Sequence, residues 1–517
     1  MVNGDTSAPA RSAAESERPA ASPRQRWLVL ATVSGGLLLC GIDLTVLHVA
    51  VPSMSLDLRP STAQSLWIVD VYSLALAALL VTCGTLGDRI GRRRMVLGGL
   101  FAFGLASAAC AFSTSPAQLI AGRAALGVAA AMIMASTVAI IRVVFTDDHE
   151  RARAIGVWTS AHSVGATIGP LLGGLVAERW GWNAVFLVNV PVIVVLLVVG
   201  AHVVPESRNP VPRRWDLVGV VLSVTGLAGV VYALKQAGEH ASVHTGILVA
   251  GLGGAVLMYA FVRRQLRIPE PLLDFSLFGE RRFTTATLCV LCCFGSYVAL
   301  LFFLTQWLQL VGGYSPLRAG LALTPLAAAN AVGAVTAPRL ANRWGTRWAL
   351  TAALSLFAVA YAAIAAFGDT AHYGPLLPSL LVAGYGAGIV MTLGADSIMS
   401  AARPERSGEA AAIQETSFEL GAGLGIAVLG TVLTMVYRTG LPSVPGLGPD
   451  ERAAVGESFS AAEDVTTHLP APTAEAVLSA ARRAYDHGFT TVAVIAAAGL
   501  AATAATAAAL LRPRGAR

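Results

Sequence analysis

Charge is scarce in this sequence, and that scarcity decides its class. Of 517 residues 13% are charged and 55% hydrophobic, with mean hydropathy +0.66, whereas a soluble domain carries about 25% charged residues. Lysine is nearly missing: Lys235 stands alone beside 35 Arg, a bias that, with abundant Ala and Gly, is expected of a GC-rich genome. Cysteine is sparse, and all six (Cys40, Cys83, Cys110, Cys289, Cys292, Cys293) fall inside apolar runs, where a disulfide framework has no use. Cys289, Cys292 and Cys293 share a helix face, but with no His or carboxylate beside them no metal site is expected. A phosphate-cradling Gly loop, a nucleophile elbow and a His-rich cluster are also lacking, which argues against an enzyme, a cofactor or a nucleotide-driven machine. Residues 1–26 have no apolar core and read as a disordered cytoplasmic tail rather than a signal peptide.

What is present is a series of long apolar runs. Bounded by charge, Pro or Gly, they fall near 28–50, 65–85, 95–113, 117–141, 154–176, 184–204, 216–235, 244–262, 284–310, 317–338, 346–366, 376–400, 409–437 and 488–511. Each is close to the roughly 20 residues that cross about 30 Å of hydrocarbon as a helix. The expected fold is therefore an all-α membrane protein with 14 transmembrane helices, surrounded by a lipid bilayer and with no call on nucleic acid. An even count puts both termini on one side. The turns on that side hold most of the arginines, from Arg89, Arg92, Arg93 and Arg94 to Arg339, Arg343 and Arg347, so it is read as cytoplasmic, in a multi-pass protein of the cytoplasmic (inner) membrane. Trp27, Trp67, Trp180, Trp182, Trp215 and Trp344 lie near span ends, as interfacial anchors do. Residues 438–487 mix Pro, Gly and charge around a helical patch, "AEAVLSAARRAY", and read as an external loop between helices 13 and 14.

One charged stretch stands out, "CGTLGDRIGRRRM" at 83–95, in the turn between the second and third spans. Sidedness accounts for its arginines but not for Asp88 or for Gly84, Gly87 and Gly91. A weaker copy follows 254 residues later, where Leu340, Asn342, Arg343, Gly345 and Arg347 align with Leu86, Asp88, Arg89, Gly91 and Arg93. The repeat divides the chain into an N-terminal six-helix bundle at 27–204 and a C-terminal one at 284–437 with 488–511. Two inserted helices lie between them at 216–262. Such a layout is typical of transporters built around a midplane site.

The run Gly84, Asp88, Arg89, Gly91, Arg92 and Arg93 resembles the loop signature of the major facilitator superfamily, with its degenerate second copy in the matching place. "GIDLTVLHVAVP" (41–52), "LIAGRAALGVAAA" (119–131) and "HSVGATIGPLLGG" (162–174) are similar to motifs of its drug:proton antiporters. "WIVDVYSLALA" (67–77) and "QETSFELGAGLGIAVLG" (414–430) resemble the second and thirteenth helices of the fourteen-helix branch, which includes quaternary-ammonium and antibiotic efflux pumps. The chain departs from the usual pattern at His48, Leu126 and His162. The resemblance covers about residues 27–437 and the last helix. It implies the major facilitator fold, two pseudo-symmetric bundles with two inserted helices, in a monomer that exports hydrophobic, often cationic compounds in exchange for protons. A dedicated exporter of one endogenous metabolite would carry the same features. The resemblance further gives Asp88 an inter-half charge contact that latches the inside-closed state. The helix-5 stretch with Gly165, Gly169, Pro170, Gly173 and Gly174 is placed at the interface between halves, closing the outer side.

Ionisable residues inside spans cost about 2.5–3.5 kcal/mol each and normally face a partner or a water-filled cavity. Asp43, Asp70 and Arg123 fall at one level, roughly 8–10 Å below the same side of the membrane at 1.5 Å per residue. Two carboxylates against one cation leave a cluster that favours taking up a proton or a cationic guest, so these three are the expected proton-coupling residues. Glu415 and Glu419 lie one turn apart on one helix face. With Asp43 and Asp70 they are the expected substrate-binding acids. Isolated His48 and His162 are read first as packing residues.

Overall fold

The computed structural model describes residues 23–208, 216–239, 245–269, 271–273, 275–367, 373–401, 407–442 and 447–511, and among these residues there are helices and turns but no strand. The first half comprises α1 (Pro23–Leu58), α2 (Thr62–Ile90), α3 (Arg92–Ala111), α4 (Pro116–Val144), α5 (Asp148–Trp180), α6 (Ala184–Leu187) and α7 (Asn189–Val203). The inserted pair is α8 (Leu217–Glu239) and α9 (Thr245–Gln265). The second half comprises α10 (Arg281–Leu310), α11 (Pro316–Ala322), α12 (Thr324–Trp344), α13 (Thr346–Phe367), α14 (Tyr373–Ala401), α15 (Ser407–Gly440), the short α16 (Pro449–Glu457) and α17 (Phe459–Thr466), and α18 (Ala471–Leu510). Among the described residues 13 spans are long and apolar enough to cross a membrane. The 33-residue α5 is a fourteenth helix of crossing length.

Two spans are broken, each by a proline. Pro191 has no N–H for the Leu187 carbonyl and Pro325 none for that of Leu321, so the helix interrupts at Val188 and at Leu323. Serines start several of the helices: Ser61, Ser115, Ser315 and Ser458 accept from backbone amides three residues on.

The halves repeat one packing scheme. In the first, α1 lies along α5, and α4 along both α2 and α3; in the second, α10 lies along α15, and α14 along both α12 and α13. The inserted pair packs outside, with α8 against α2 and α15. Asp216 clasps its turn-side ends, accepting from Gly219 N–H, Arg264 Nε and Gln265 Nε2 at 2.7–2.8 Å. Burial alone would raise the Asp216 carboxyl, but these donors outweigh it and hold the group below its ordinary range.

Two stretches differ from the sequence reading. Residues 23–26, assigned to the tail, are the first turn of α1, where Arg26 pairs with Glu150 at 2.6 Å; residues 1–22 lie outside the described ones. Residues 471–487, assigned to the external loop, are the first turns of α18. Nothing after Pro472 breaks that helix, and Val477, Ala480, Ala481, Ala484 and Tyr485 form a buried stripe that gives the extension an apolar face to pack. With α16 and α17 it builds a helical cap over one end of the bundle, called the cap end below. The opposite, turn end carries residues 83–95.

Both halves meet along α5–α11, α2–α15 and α1–α10. Polar ties cluster at the cap end: Gln309 Nε2 donates to Val49 O at 2.9 Å, Glu178 Oε2 accepts from Leu317 N at 3.0 Å, and Arg59 pairs with Asp464 at 2.8 Å. Within the first half, α1 and α5 touch backbone to backbone, so a Cβ on Gly173 would collide with Val46 O, whereas one on Gly156 of the same helix meets nothing within 4 Å. Gly173→Ala is expected to cost about 1–3 kcal/mol, seen as a lower melting temperature of the detergent-purified protein. Gly156→Ala should leave that temperature unchanged or raise it.

Candidate functional site

The centre of the first half is an ion pair with no exposure on either side chain, Arg123 on α4 and Asp43 on α1, 2.5 Å from Nη1 to Oδ2. The guanidinium spreads its other donors over the chain. Nε reaches Ile68 O at 3.0 Å, and longer bonds of 3.4 Å run to Val69 O and Asp43 O. One face lies over the Tyr72 ring, 4.7 Å from its centroid, a favourable place for a desolvated cation. Gly127 makes this reach possible: any Cβ there would strike the Tyr72 carbonyl, so its absence lets α4 lie close enough to α2 for an Arg on α4 to grip α2's backbone. Asp70 is buried on α2, one residue beyond the Val69 carbonyl that Arg123 holds.

A partner of Asp43, and the residue that supports it, escaped the sequence reading. Asn189, the first residue of α7, donates from Nδ2 to Asp43 Oδ1 at 3.2 Å and to Ser107 Oγ on α3 at 3.1 Å, and both new residues are fully buried. The signal was there, a lone Asn in the apolar run "FLVNVPVIVV" beside the proline that breaks the helix.

Glu415 and Glu419 sit on α15. Glu419 is buried, its Oε2 has no hydrogen-bond partner in the protein, and the Ser73 hydroxyl of α2 lies beside its carboxylate. Its charge bears on Tyr72 and Cys40, the neighbours of Asp43. Glu419 thus faces the first half's cluster across the interface, while Glu415, one turn away, is half-buried. Glycines bring the helices together here, Gly423 against Leu74 and Gly430 against Leu66.

The helix-5 glycines divide into two groups. Gly165, Gly169 and Gly173 meet α1 within the same half, at Leu38 O, Ile42 O with Thr45, and Val46 O. Only the next part of the motif crosses between halves: Gly174 abuts Pro316 O and Leu317 of α11, and Gly320 of α11 abuts Pro170 O. The expectation that the whole stretch lies at the interface is corrected accordingly. Spacing gave the face but not which neighbour it would meet.

At the turn end Gly91 adopts φ +118°, a conformation that favours glycine. The turn is held to the end of the sixth span: Arg92 N donates to Ser207 O at 2.9 Å, Arg93 N to Glu206 Oε1 at 3.3 Å, and the Arg93 guanidinium to Ala201 O at 2.5 Å. Asp88 accepts from Arg92 at 2.8–2.9 Å within its own turn, so the inter-half partner that the resemblance implied for it is not the one seen. Gly84 faces Ala135 of α4 at ordinary contact distance, and Arg89 occupies the last turn of α2. In the second copy Gly345 has φ +79°, and Arg347 Nε donates to Ala508 O at 2.8 Å, again at the end of the last span of its half.

His48 is buried edge-on to Phe302 of α10, 5.4 Å between centroids, and His162 lends its backbone carbonyl to the contact with Gly41. The six cysteines are unpaired, and among the described residues no group of His, Cys, Asp and Glu could hold a metal ion.

This architecture of two like halves has counterparts. A bacterial homolog of the human lysosomal transporter Spinster, solved in an inward-facing and occupied conformation, superposes with TM-score 0.66 at 18% identity over 95% of this chain and 98% of its own, a likeness of fold. The multidrug efflux pump LfrA of Mycolicibacterium smegmatis is 41% identical over 94% of this chain and 96% of its own length. The methyl viologen resistance protein SmvA of Salmonella typhimurium is 34% identical over 89% and 93%. The tetracenomycin C resistance and export protein of Streptomyces glaucescens is 32% identical over 85% and 83%. Residues 33–426 match the Major Facilitator Superfamily, and with the repeated halves and these relatives the chain belongs to that family of membrane transporters.

Proposed function

We propose that the protein is a proton-coupled exporter of hydrophobic, often cationic compounds, working across the cytoplasmic membrane with both termini inside. The observation that carries this reading is the buried Asp43–Arg123 pair, with Glu419 close by across the interface. Inside such a bundle a carboxylate has two ways of being neutralised, by a proton or by a cation. If the two alternate at one cluster, each proton entering drives one drug outward. For an uncharged drug the proton's charge moving through 100 mV releases about 2.3 kcal/mol, enough for roughly a fifty-fold gradient, whereas one-for-one exchange with a monovalent cation moves no net charge and draws on the pH difference, about 1.4 kcal/mol or tenfold per unit. The chain needs no cofactor and performs no covalent chemistry in this scheme, and one copy suffices because each half contributes an acid to the cluster, Asp43 from the first and Glu419 from the second.

The cap-end ties describe a state closed to the outside. When the turn end closes instead, Asp88 exchanges Arg92 for a partner on the other half, and the glycine turn, clamped to Glu206 and Ser207, moves with its bundle as one piece. A second reading, a dedicated exporter of one endogenous metabolite, is favoured by the relative named for tetracenomycin C export. Transport of a panel of unrelated compounds separates the two.

Asp43→Asn is expected to abolish drug-triggered proton release in inverted vesicles while leaving the protein in the membrane, because an amide exchanges no proton. Release at the level of the unaltered protein would end the coupling role of Asp43. Arg123→Ala removes the partner of a buried carboxylate, a change worth about 3–5 kcal/mol, and should lower both the melting temperature and transport.

For Glu415→Gln and Glu419→Gln, export of tetraphenylphosphonium is compared with that of an uncharged drug. The charged compound should lose more, at least tenfold in one of the two variants. Equal small losses for both compounds would reduce the pair to packing residues.

A further inference from the structure

The contacts of Asp43 are all with donors: Arg123 Nη1 on Oδ2 and Asn189 Nδ2 on Oδ1. That surrounding suits an ionised carboxylate, and it fixes how the Asn189 amide must lie, since turning its oxygen toward a negative oxygen would be repulsive. The same surrounding is wrong for the neutral acid. A protonated Asp43 carries an O–H that requires an acceptor, and two donors offer none. One acceptor stands within reach on the same amide. Asn189 Oδ1 is buried and has no hydrogen-bond partner, and half a turn about the Cβ–Cγ bond brings it to where Nδ2 now lies.

From this we infer that Asn189 is the proton-state reader of Asp43: its amide donates to the ionised form and flips to accept from the protonated one. The inference deepens the proton-exchange reading and rests on it. Ser107 supports both orientations, because its hydroxyl accepts from Nδ2 now, at 3.1 Å, and donates to Oδ1 after the flip. The flipped amide turns its NH2 toward the side where Oδ1 has no partner, so the two orientations differ in energy and the ionised form is the better served. Proton loading therefore strains the start of α7, at the break that Pro191 makes. The proton itself is exchanged with water when the cavity is open.

Other groups act on Asp43, but the side-chain hydrogen bonds of its carboxylate run to Arg123 and Asn189. Arg123 comes from α4, Tyr72 from α2, Cys110 from α3 and Cys40 from α1 itself, and Glu419 of α15 bears on Tyr72 and Cys40. Asp70 lies on α2 and His48 on α1, the latter edge-on to Phe302. The Tyr72 hydroxyl is committed to Cys40 O at 3.1 Å. Asn189 is thus a positioning residue that works through Asp43.

The test needs no knowledge of the substrate. In the purified full-length protein, the carbonyl infrared band of protonated Asp43 is the one lost in Asp43→Asn, and its disappearance with rising pH gives a midpoint. Asn189→Leu removes the donor to the ionised form and should move that midpoint about one unit toward higher pH, a tenfold gain in proton affinity. Asn189→Ser, whose hydroxyl both donates and accepts, should restore about half of the shift. If Asn189→Leu does not fold, Ser107→Ala carries the test, with a two- to threefold change in the same direction expected. An unmoved midpoint in whichever of these variants folds overturns the reader role while leaving the coupling role of Asp43 standing. If instead no band titrates in an Asp43-dependent way, the exchange reading itself fails, and the reader role with it.

Discussion

A guanidinium cannot shed its charge, so burying Arg123 in the middle of a bundle obliges the chain to surround it with acceptors. Two neighbouring helices supply them. Asp43 comes from α1, the carbonyls of Ile68 and Val69 and the ring of Tyr72 from α2, and the Arg itself from α4. Each bond fixes a distance between backbones, so one charge sets the mutual positions of three spans. The second oxygen of Asp43 then extends the constraint to α7 and α3 through Asn189 and Ser107. Removing either partner leaves a buried charge uncompensated, which is why such a pair holds a structure more firmly than its net contribution to stability suggests.

The charge cluster can be this compact because glycines remove the layer of side chains that normally separates helices. Their placement distinguishes two kinds of contact. Gly165 and Gly173 on α5 meet backbone carbonyls of α1, as does Gly127 of α4 on α2, which makes the first half stiff. On the long α2–α15 contact between halves, Gly423 and Gly430 meet leucine side chains, Leu74 and Leu66. Side chains can change rotamer and carbonyls cannot, so this contact can slide. The cap end is the exception, since Gly174 and Gly320 there meet the other half's backbone. A seal of that kind opens by separating whole helices, the motion expected of rigid bundles rocking about a central site.

Hydrophobic run length made the spans legible, since lipid imposes on each helix a demand that the sequence must answer locally. A helical patch at 474–485 was legible, but its continuity with the last span was not, because composition, with its Pro, Gly and charge nearby, spoke for a loop; the stripe that includes Tyr485 becomes decisive only once it joins Tyr437 and Phe459 in the core. In the site, the charged members announced themselves through their cost in a membrane. Asn189 and Ser107 did not, because polar uncharged residues are common in spans and their importance depends on which carboxylate they meet across the bundle. The glycine motif showed its face by spacing, yet which neighbour it met was a property of the fold. The orientation of Glu419 toward the first half was equally beyond reach of helix spacing, which says only that Glu415 and Glu419 share a side.

The two copies of the turn show which parts of the signature build the structure. Both have a glycine at positive φ, and in both an arginine donates to a carbonyl at the end of its half's last span, Arg93 to Ala201 and Arg347 to Ala508. An arginine so placed satisfies carbonyls that a helix end leaves free and opposes the negative end of its dipole. This much is needed to dock a turn against a helix, and both halves keep it. The acid is different, for Asp88 is matched in the second copy by Asn342, and the second turn forms without it. The Glu206 clamp also belongs to the first turn, and a Cβ on Gly91 would press on that carboxylate, whereas one on Gly345 meets nothing within 4 Å. Since the turn can be built without Asp88, its presence in the first copy calls for an explanation outside the turn's own architecture, and a partly exposed charge whose described partner is Arg92 of the same turn is one that can change partners.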